Sequence, residues 1–277
     1  MSALLPPPPE LPPPPDLPPP PGASPAGSAT QDPTKASWRW WEILLVFIGA
    51  YIVSAFPAIA IFRAFGRDPR TQSAQLDGVS SFANLVAQLI VLAALVGYLA
   101  LRHRGWRRAV RFPPLRSVPR ELGIGLACGV GMTIVLYVLV GFVLEPIFRA
   151  ATGRDVTPAD QISQGIHGWG AVAFFFAVVV VAPVVEEFFF RGLFFRALRD
   201  RYGFWVGALG SGVLFGLFHA GAGDLAQNVM LQIVIGSFGV VLAAIYEWRG
   251  SLGANIATHA AFNLVTVIGV LVVVKVV

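Results

Sequence analysis

The sequence predicts an all-α polytopic membrane protein, a bundle of about seven transmembrane helices with eight as the alternative count. Composition is the first observation behind this prediction, because 56% of the residues are hydrophobic and only 13% are charged. Soluble domains carry about 25% charged residues. The second observation is a set of seven stretches without Asp, Glu, Lys or Arg, each close to or above the ~20 residues that cross a bilayer as a helix. An ordinary soluble enzyme, a nucleic-acid-binding domain and a disordered chain are thereby excluded.

The proline-rich start and the distribution of the seven uncharged stretches predict three regions in the chain. Residues 1–37 contain three tetraproline blocks, a composition typical of an extended, disordered tail. A ligand for a proline-binding domain is the alternative interpretation of this tail. Residues 38–160 hold the first three stretches, and residues 161–277 hold the last four. In chain order the stretches are residues 43–62, 78–101, 122–144, 161–185, 202–223, 225–246 and 250–274.

Basic residues predict how the bundle is oriented. Seven arginines lie between Arg102 and Arg120, directly after the second stretch. Loops rich in Lys and Arg stay in the cytoplasm, so we expect this loop and the amino terminus to be cytoplasmic. The net charge of +5 is then a topology signal, and the expected partner is a lipid bilayer rather than a nucleic acid.

Three charges in the fourth stretch lie where a membrane helix disfavours them. Glu186, Glu187 and Arg191 are embedded among phenylalanines, and a charge at the bilayer centre costs about 2.5–3.5 kcal/mol on insertion scales. Glu187 and Arg191 are four residues apart, which favours an ion pair on one helix face. Glu186 points about 100° away from Glu187 and is free to exchange protons. Pro183 is expected to release a backbone carbonyl and kink the helix.

Two later stretches supply the imidazole and amide groups that complete a polar set. If the fourth and fifth helices form a hairpin that turns near residues 201–203, Glu186 and His219 lie at the same height, about 16 and 17 residues from the turn. His259 and Asn263 are four residues apart and share a face. We expect these residues to converge on a water-filled cavity that faces the cytoplasm.

The polar set fits hydrolysis of a peptide bond in two ways. Glu186 can act as general base on a water with His219, while His259 and Asn263 stabilise the oxyanion of the tetrahedral intermediate. Alternatively, Glu186, His219 and His259 bind a divalent metal such as zinc, which activates the water. The single cysteine, Cys128, excludes an intramolecular disulfide and a Cys-based zinc site.

Together, these motifs resemble those of the CAAX protease and bacteriocin-processing family of intramembrane endopeptidases. The resemblance covers about residues 168–265 and includes Glu186-Glu187-x-x-x-Arg191, Phe215-x-x-x-His219 and His259-x-x-x-Asn263, in the family's order. It implies that residues 161–277 form the catalytic core. The first glutamate would activate water with the histidine of the second motif, without a resident cofactor, and Glu187 and Arg191 would orient the site or bind the substrate's carboxylate.

The resemblance also implies a substrate class, a membrane-embedded or membrane-associated peptide or protein. Eukaryotic relatives cut prenylated CAAX peptides, and prokaryotic relatives are linked to peptide processing and bacteriocin self-immunity. The Ala/Val/Gly/Arg-rich usage suggests a GC-rich bacterium and therefore a bacterial cell membrane.

Three other interpretations compete with this one. Residues 221–224 match the Gly-x-Gly-Asp pattern of presenilin-type aspartyl proteases, but none of the uncharged stretches supplies a second aspartate. Residues 210–212 with His259 resemble a rhomboid serine–histidine pair, although Leu209 replaces the usual glycine. The third interpretation is a non-enzymatic immunity or scaffold protein of the same fold, which would have no need for the complete polar set.

Overall fold

The computed structural model describes residues 32, 34–68, 78–158, 169–221 and 223–276, and it is helical throughout its core. The proline blocks and residues 161–168, at the start of the third predicted region, lie outside these ranges. Seven helices form the bundle, counted within the described residues: α1 (Trp40–Ala64), α2 (Gly78–Arg102), α3 (Leu115–Thr152), α4 (from Trp169 to Tyr202), α5 (Phe204–Leu217), α6 (Leu225–Arg249) and α7 (Leu252–Val276). One further short turn of helix, Trp106–Ala109, lies in the arginine-rich loop.

The prediction of a polytopic helical bundle is confirmed. Six helices are long and apolar enough to cross a membrane, among the residues that the structure describes. The predicted fifth span, residues 202–223, contains only the 14-residue helix α5, about 21 Å long at ~1.5 Å per residue. It is short because Gly203 turns the chain at φ 88° before α5 begins, and the helix ends at Leu217.

Helix α4 widens from an α-helix into a π-helix at two places. Two wider π-helical segments, Phe176–Val181 and Phe188–Phe195, flank the α-helical segment Ala182–Glu187. Pro183 lies in the first turn of that central segment. π-Helical turns inside α-helices are frequent at functional sites, and here they bracket the predicted carboxylates.

Phenylalanines of α4 form the centre of the bundle rather than its lipid face. Every residue of Phe188–Phe195 is buried. The ring of Phe47 from α1 stacks on Phe189 with 3.6 Å between centroids, and the indole of Trp38 donates to the carbonyl of Leu193 at 3.0 Å. α1 therefore covers α4, so that the charges of this segment lie inside protein.

Glycines allow the remaining helices to approach closely. α3 packs along α7, and α5 packs along α6. A Cβ atom at Gly129 would lie 2.5 Å from the carbonyl oxygen of Thr258, and one at Gly216 would lie 2.5 Å from that of Gln232. Small residues at helix contacts are the usual means by which membrane helices pack without a hydrophobic driving force.

One end of the bundle carries most of the basic residues that the structure describes, and we call it the arginine end. There Arg249 pairs with Glu121 at 2.7 Å, and the hydroxyl of Tyr246 donates to the carbonyl of Val110 at 2.8 Å. The last residues of the predicted tail also reach this end, because the amide of Ala36 donates to Asp200 at 2.9 Å. Residues 34–37 therefore belong to the bundle, in contrast to the expectation of a tail through residue 37.

Candidate active site

A cavity of about 830 Å³ is lined by residues of all three sequence motifs. Glu186 enters it from α4, His219 from the residues that follow α5, and His259 with Asn263 from α7. The hairpin of α4 and α5 turns at Gly203, as the sequence predicts. The structure thus brings together four residues that are up to 77 positions apart in the sequence.

Glu186 lies between the two histidines. Its Oε2 atom is 3.8 Å from Nε2 of His219 and 3.8 Å from Nε2 of His259. These distances exceed a direct hydrogen bond. The same Oε2 atom is buried without a hydrogen-bond partner among the described residues, so its lone pairs remain available within reach of both rings.

The other ring nitrogen of each histidine is bound, and these bonds determine where the protons lie. Nδ1 of His219 is 2.7 Å from the carbonyl oxygen of Phe215, which can only accept a hydrogen bond. Nδ1 of His259 is 3.0 Å from Oε1 of Glu187. We infer that both Nδ1 atoms carry hydrogen, so a neutral ring presents the Nε2 lone pair toward Glu186.

Glu187 and Arg191 form the predicted ion pair, with 2.9 Å between Arg191 Nη1 and Glu187 Oε1. Arg191 Nη2 also donates to the carbonyl of Gly239 at 2.9 Å, and its guanidinium lies 4.5 Å from the ring centroid of Phe215. Both charged side chains are 0% exposed. Of the two expected roles, orientation of the site or binding of the substrate's carboxylate, this burial favours orientation, which acts through His259.

Asn263 is held by a carbonyl that Pro183 leaves without a partner. In the five-residue register of the π-helical segment Phe176–Val181, the carbonyl of Val178 would accept from the amide of residue 183, and proline has none. The Asn263 side chain donates to this carbonyl instead, at 2.8 Å. One of the two amide hydrogens is thereby used, which fixes the side chain and leaves the second hydrogen available.

Asn255 is a site residue that the sequence reasoning missed. It is fully buried, and its side-chain nitrogen lies 3.3 Å from Glu187 Oε2 and 2.6 Å from the carbonyl of Leu242. The sequence did contain a signal for this residue. Asn255 lies four residues before His259, just as His259 lies four before Asn263, so the three side chains share one helix face. A second missed set, Ser80, Asn84 and Gln88, lines the cavity from α2 with the same spacing.

The position of the cavity differs from the expectation of an opening at the cytoplasmic loop. Its lining comes from the parts of the helices farthest from the arginine end, such as Ser80 near the start of α2 and Glu145 near the end of α3. His219 follows the end of α5 that lies away from Gly203. The cavity therefore occupies the half of the bundle opposite the arginine end.

Asp224 and Ser211, the reactive residues of the two competing protease patterns, do not line the cavity. Asp224 caps the start of α6 by accepting from the amide of Gln227 at 3.0 Å, and this hydrogen bond, with the pairing to Arg154, holds the pKa of Asp224 below its usual value. Ser211 is buried and donates to the carbonyl of Phe190 at 3.2 Å. Asp224 therefore caps a helix, and Ser211 has a packing role.

The metal alternative uses Glu186, His219 and His259, which line the same cavity. No set of three or more His, Cys, Asp or Glu side chains within the described residues has the arrangement of a metal site. Glu186, His219 and His259 do carry donor atoms that zinc accepts. The metal alternative therefore stays a prediction that removal of metal by a chelator can test.

Comparison with known proteins points to the same region. Residues 168–265 match the family described as type II CAAX prenyl endopeptidase Rce1-like. A protein of Bacillus subtilis (strain 168), named "Putative membrane peptidase YdiL", is 24% identical over 242 residues, which cover 83% of this chain and 88% of that protein. No solved structure matches the chain significantly. These similarities support a multi-pass membrane protease, and over residues 168–265 they support the predicted resemblance to the CAAX protease and bacteriocin-processing family.

Proposed function

We propose that this protein is an intramembrane endopeptidase that hydrolyses a peptide bond in a membrane-associated protein or peptide with a water activated by Glu186. The observation that carries the proposal is the buried Oε2 atom of Glu186, which has no hydrogen-bond partner among the described residues and lies 3.8 Å from the Nε2 atoms of both histidines. A water beside this oxygen can donate to the carboxylate and to the Nε2 lone pair of His219 at the same time. This is the arrangement that general-base catalysis requires.

The first step is attack on the substrate carbonyl. Glu186 takes one proton from the water as its oxygen bonds to the carbonyl carbon, and the carbonyl oxygen becomes an oxyanion. Asn263 can donate its second amide hydrogen to that oxyanion. His259 can donate from Nε2 only when its ring carries both protons, and Glu187 beside Nδ1 stabilises that cationic ring.

The second step is release of the amine. The carbon–nitrogen bond breaks as Glu186, now protonated, returns its proton to the leaving nitrogen, directly or through His219. The products are a new carboxylate and a new amine, and the Glu186 carboxylate is regenerated. Glu187, Arg191 and Asn255 touch no reacting atom and act as positioning residues, because they fix the ring of His259.

The substrate class and the orientation complete the proposal. CAAX-type and bacteriocin-type processing both fit a site inside a helical bundle. The arginine-rich loop favours a cytoplasmic arginine end and a cytoplasmic amino terminus, in the membrane of a bacterial cell. The cavity in the opposite half then receives substrate from the bilayer or from the outer side of the membrane.

The test is cleavage of a membrane-associated peptide by the protein in liposomes, with fragments identified by mass spectrometry. We expect two fragments that together add one water, loss of cleavage in His219→Ala and retention in Asp155→Asn, a charge change on an exposed residue. A strong chelator should leave the rate unchanged. If the chelator abolishes cleavage and added zinc restores it, the metal alternative is supported instead. Cleavage by His219→Ala at the wild-type rate would contradict the proposal.

If no peptide is cleaved under any of these conditions, the non-enzymatic immunity or scaffold alternative is favoured.

A further inference from the structure

The cavity continues along two helices that lie outside the three motifs. Its lining includes Ser81 and Gln88 of α2 and the segment of α3 from Thr133 to Glu145. That segment covers about 18 Å of helix at ~1.5 Å per residue. An extended peptide advances ~3.3 Å per residue, so this length accommodates about five extended residues, more than the two that flank a scissile bond.

Polar atoms on the α2 wall of the cavity have no partner in the described part of the chain. Gln88 donates from Nε2 to Oδ1 of Asn84 at 3.2 Å, but its Oε1 atom is unbound although the residue is only 5% exposed. The hydroxyl of Ser81, at 2% exposure, is unbound as well. A buried acceptor left without a donor is unfavourable. The backbone N–H groups of a peptide are donors of the required kind.

The fixed charges on the cavity lining are acidic. Glu145 and Glu186 are the carboxylates of the lining, and the described lining residues include no lysine or arginine. Glu145 has no ion pair or hydrogen bond with any described residue. Arg191 cannot neutralise the cavity for a ligand, because it is fully buried and paired with Glu187. A basic side chain is therefore attracted into this cavity, whereas the free carboxylate of a chain end is repelled.

We propose that Gln88 and Glu145 form a substrate-binding subsite that takes an internal peptide segment with a basic side chain. Gln88 accepts a hydrogen bond from a backbone N–H of the segment, and Glu145 pairs with the basic side chain. This inference rests on the proposed peptidase function and names the class of substrate that the site selects. Both residues lie outside the motifs, on helices that carry no group assigned to the reaction.

The test for Glu145 is a binding measurement, because binding is independent of cleavage. Two fluorescent hydrophobic peptides that differ only in one lysine or norleucine are titrated into liposomes containing the Glu186→Gln protein. We expect the lysine peptide to bind about 10- to 100-fold more tightly, the range of one hydrogen bond to a charged group. Adding Glu145→Gln should bring the two Kd values together, while adding Asp155→Asn, a carboxylate loss outside the cavity, should keep the difference.

Equal Kd values for the two peptides, or a lysine preference that survives Glu145→Gln, would overturn the assignment of Glu145. Carboxyl-terminal amidation should leave binding equal or tighter, and weaker binding of the amide would overturn the claim of an internal segment. The peptidase function has a separate readout, which is cleavage by the wild-type protein. If that protein cleaves peptides without any preference for lysine, the subsite proposal is contradicted and the hydrolytic mechanism is not.

Gln88 is tested through the peptide backbone. Each amide of the lysine peptide in turn is replaced by an ester, which removes one N–H. We expect one position at which the ester raises the Kd of the Glu186→Gln protein but not that of the protein that also carries Gln88→Met. If no ester position weakens binding, or if the same position remains sensitive after Gln88→Met, the assignment of Gln88 fails. A general structural role of Gln88 would not produce an effect confined to one amide.

Discussion

The buried ion pair of Glu187 and Arg191 predicts how the stabilities of two single variants and of the double variant are ranked. Both side chains are 0% exposed, with 2.9 Å between Nη1 and Oε1. Glu187→Leu leaves the guanidinium buried without a counter-charge, and Arg191→Met leaves the carboxylate in the same condition. Removing one partner of a buried pair costs about 3–5 kcal/mol, whereas replacing the whole pair by apolar residues is often neutral or stabilising. The double variant should therefore be more stable than either single variant.

The assay is unfolding of the purified protein in detergent, with the midpoint and slope compared among the wild type, both single variants and the double variant. The exposed pair of Arg149 and Asp155, with side chains 65% and 76% exposed, supplies the control. Asp155→Asn should change the free energy of unfolding by no more than about 1 kcal/mol, the usual worth of a surface pair. The double variant should still lose peptidase activity, because His259 loses its Nδ1 acceptor.

Strict additivity of the two single changes would refute this reasoning, because it would mean that the charges do not interact. A Glu187→Leu protein with wild-type stability would do the same. Full activity in a folded double variant would contradict the positioning role of Glu187 in particular.

Three further predictions follow from other parts of the structure. Gly129→Ala should destabilise the protein by about 1–3 kcal/mol through overpacking against the Thr258 carbonyl, whereas Gly131→Ala, with nothing within 4 Å of the added Cβ, should have no such effect on the thermal midpoint. Asn263→Ala should lower kcat about 100- to 1,000-fold, as expected for one oxyanion donor, and an unchanged kcat would remove Asn263 from the mechanism. In a background in which the native Cys128 is replaced, Asp155→Cys should react with an impermeant thiol reagent applied outside intact cells, whereas Arg107→Cys should not. The reverse pattern would invert the orientation.

The sequence predicts the helices and the polar set because both depend on local patterns. Uncharged stretches of sufficient length identify the spans, and four-residue spacing places Glu187 with Arg191 and His259 with Asn263. The hairpin argument for Glu186 and His219 succeeds because α4 and α5 are joined by a single glycine turn, so that equal distances from the turn become equal heights.

Other features depend on contacts that no single stretch reveals. The length of α5 was overestimated because its uncharged stretch includes the turn at Gly203 and the residues after Leu217. The role of Asn255 depends on Glu187, which lies 68 positions earlier in the chain. The side of the bundle on which the cavity lies follows only from the packing of all the helices, since the polar residues of each helix are compatible with an opening at either end.

The central claim is that Glu186 activates the water, and the most direct measurement is kcat for Glu186→Gln in liposomes beside the wild-type protein. The amide keeps the size of the side chain but cannot accept the proton, so kcat should fall about 100- to 10,000-fold, the range for loss of a general base. The thermal midpoint should stay near that of the wild type, because no described residue forms a hydrogen bond with the Glu186 Oε2 atom. A Glu186→Gln protein that cleaves the same peptide at the wild-type rate would contradict the claim.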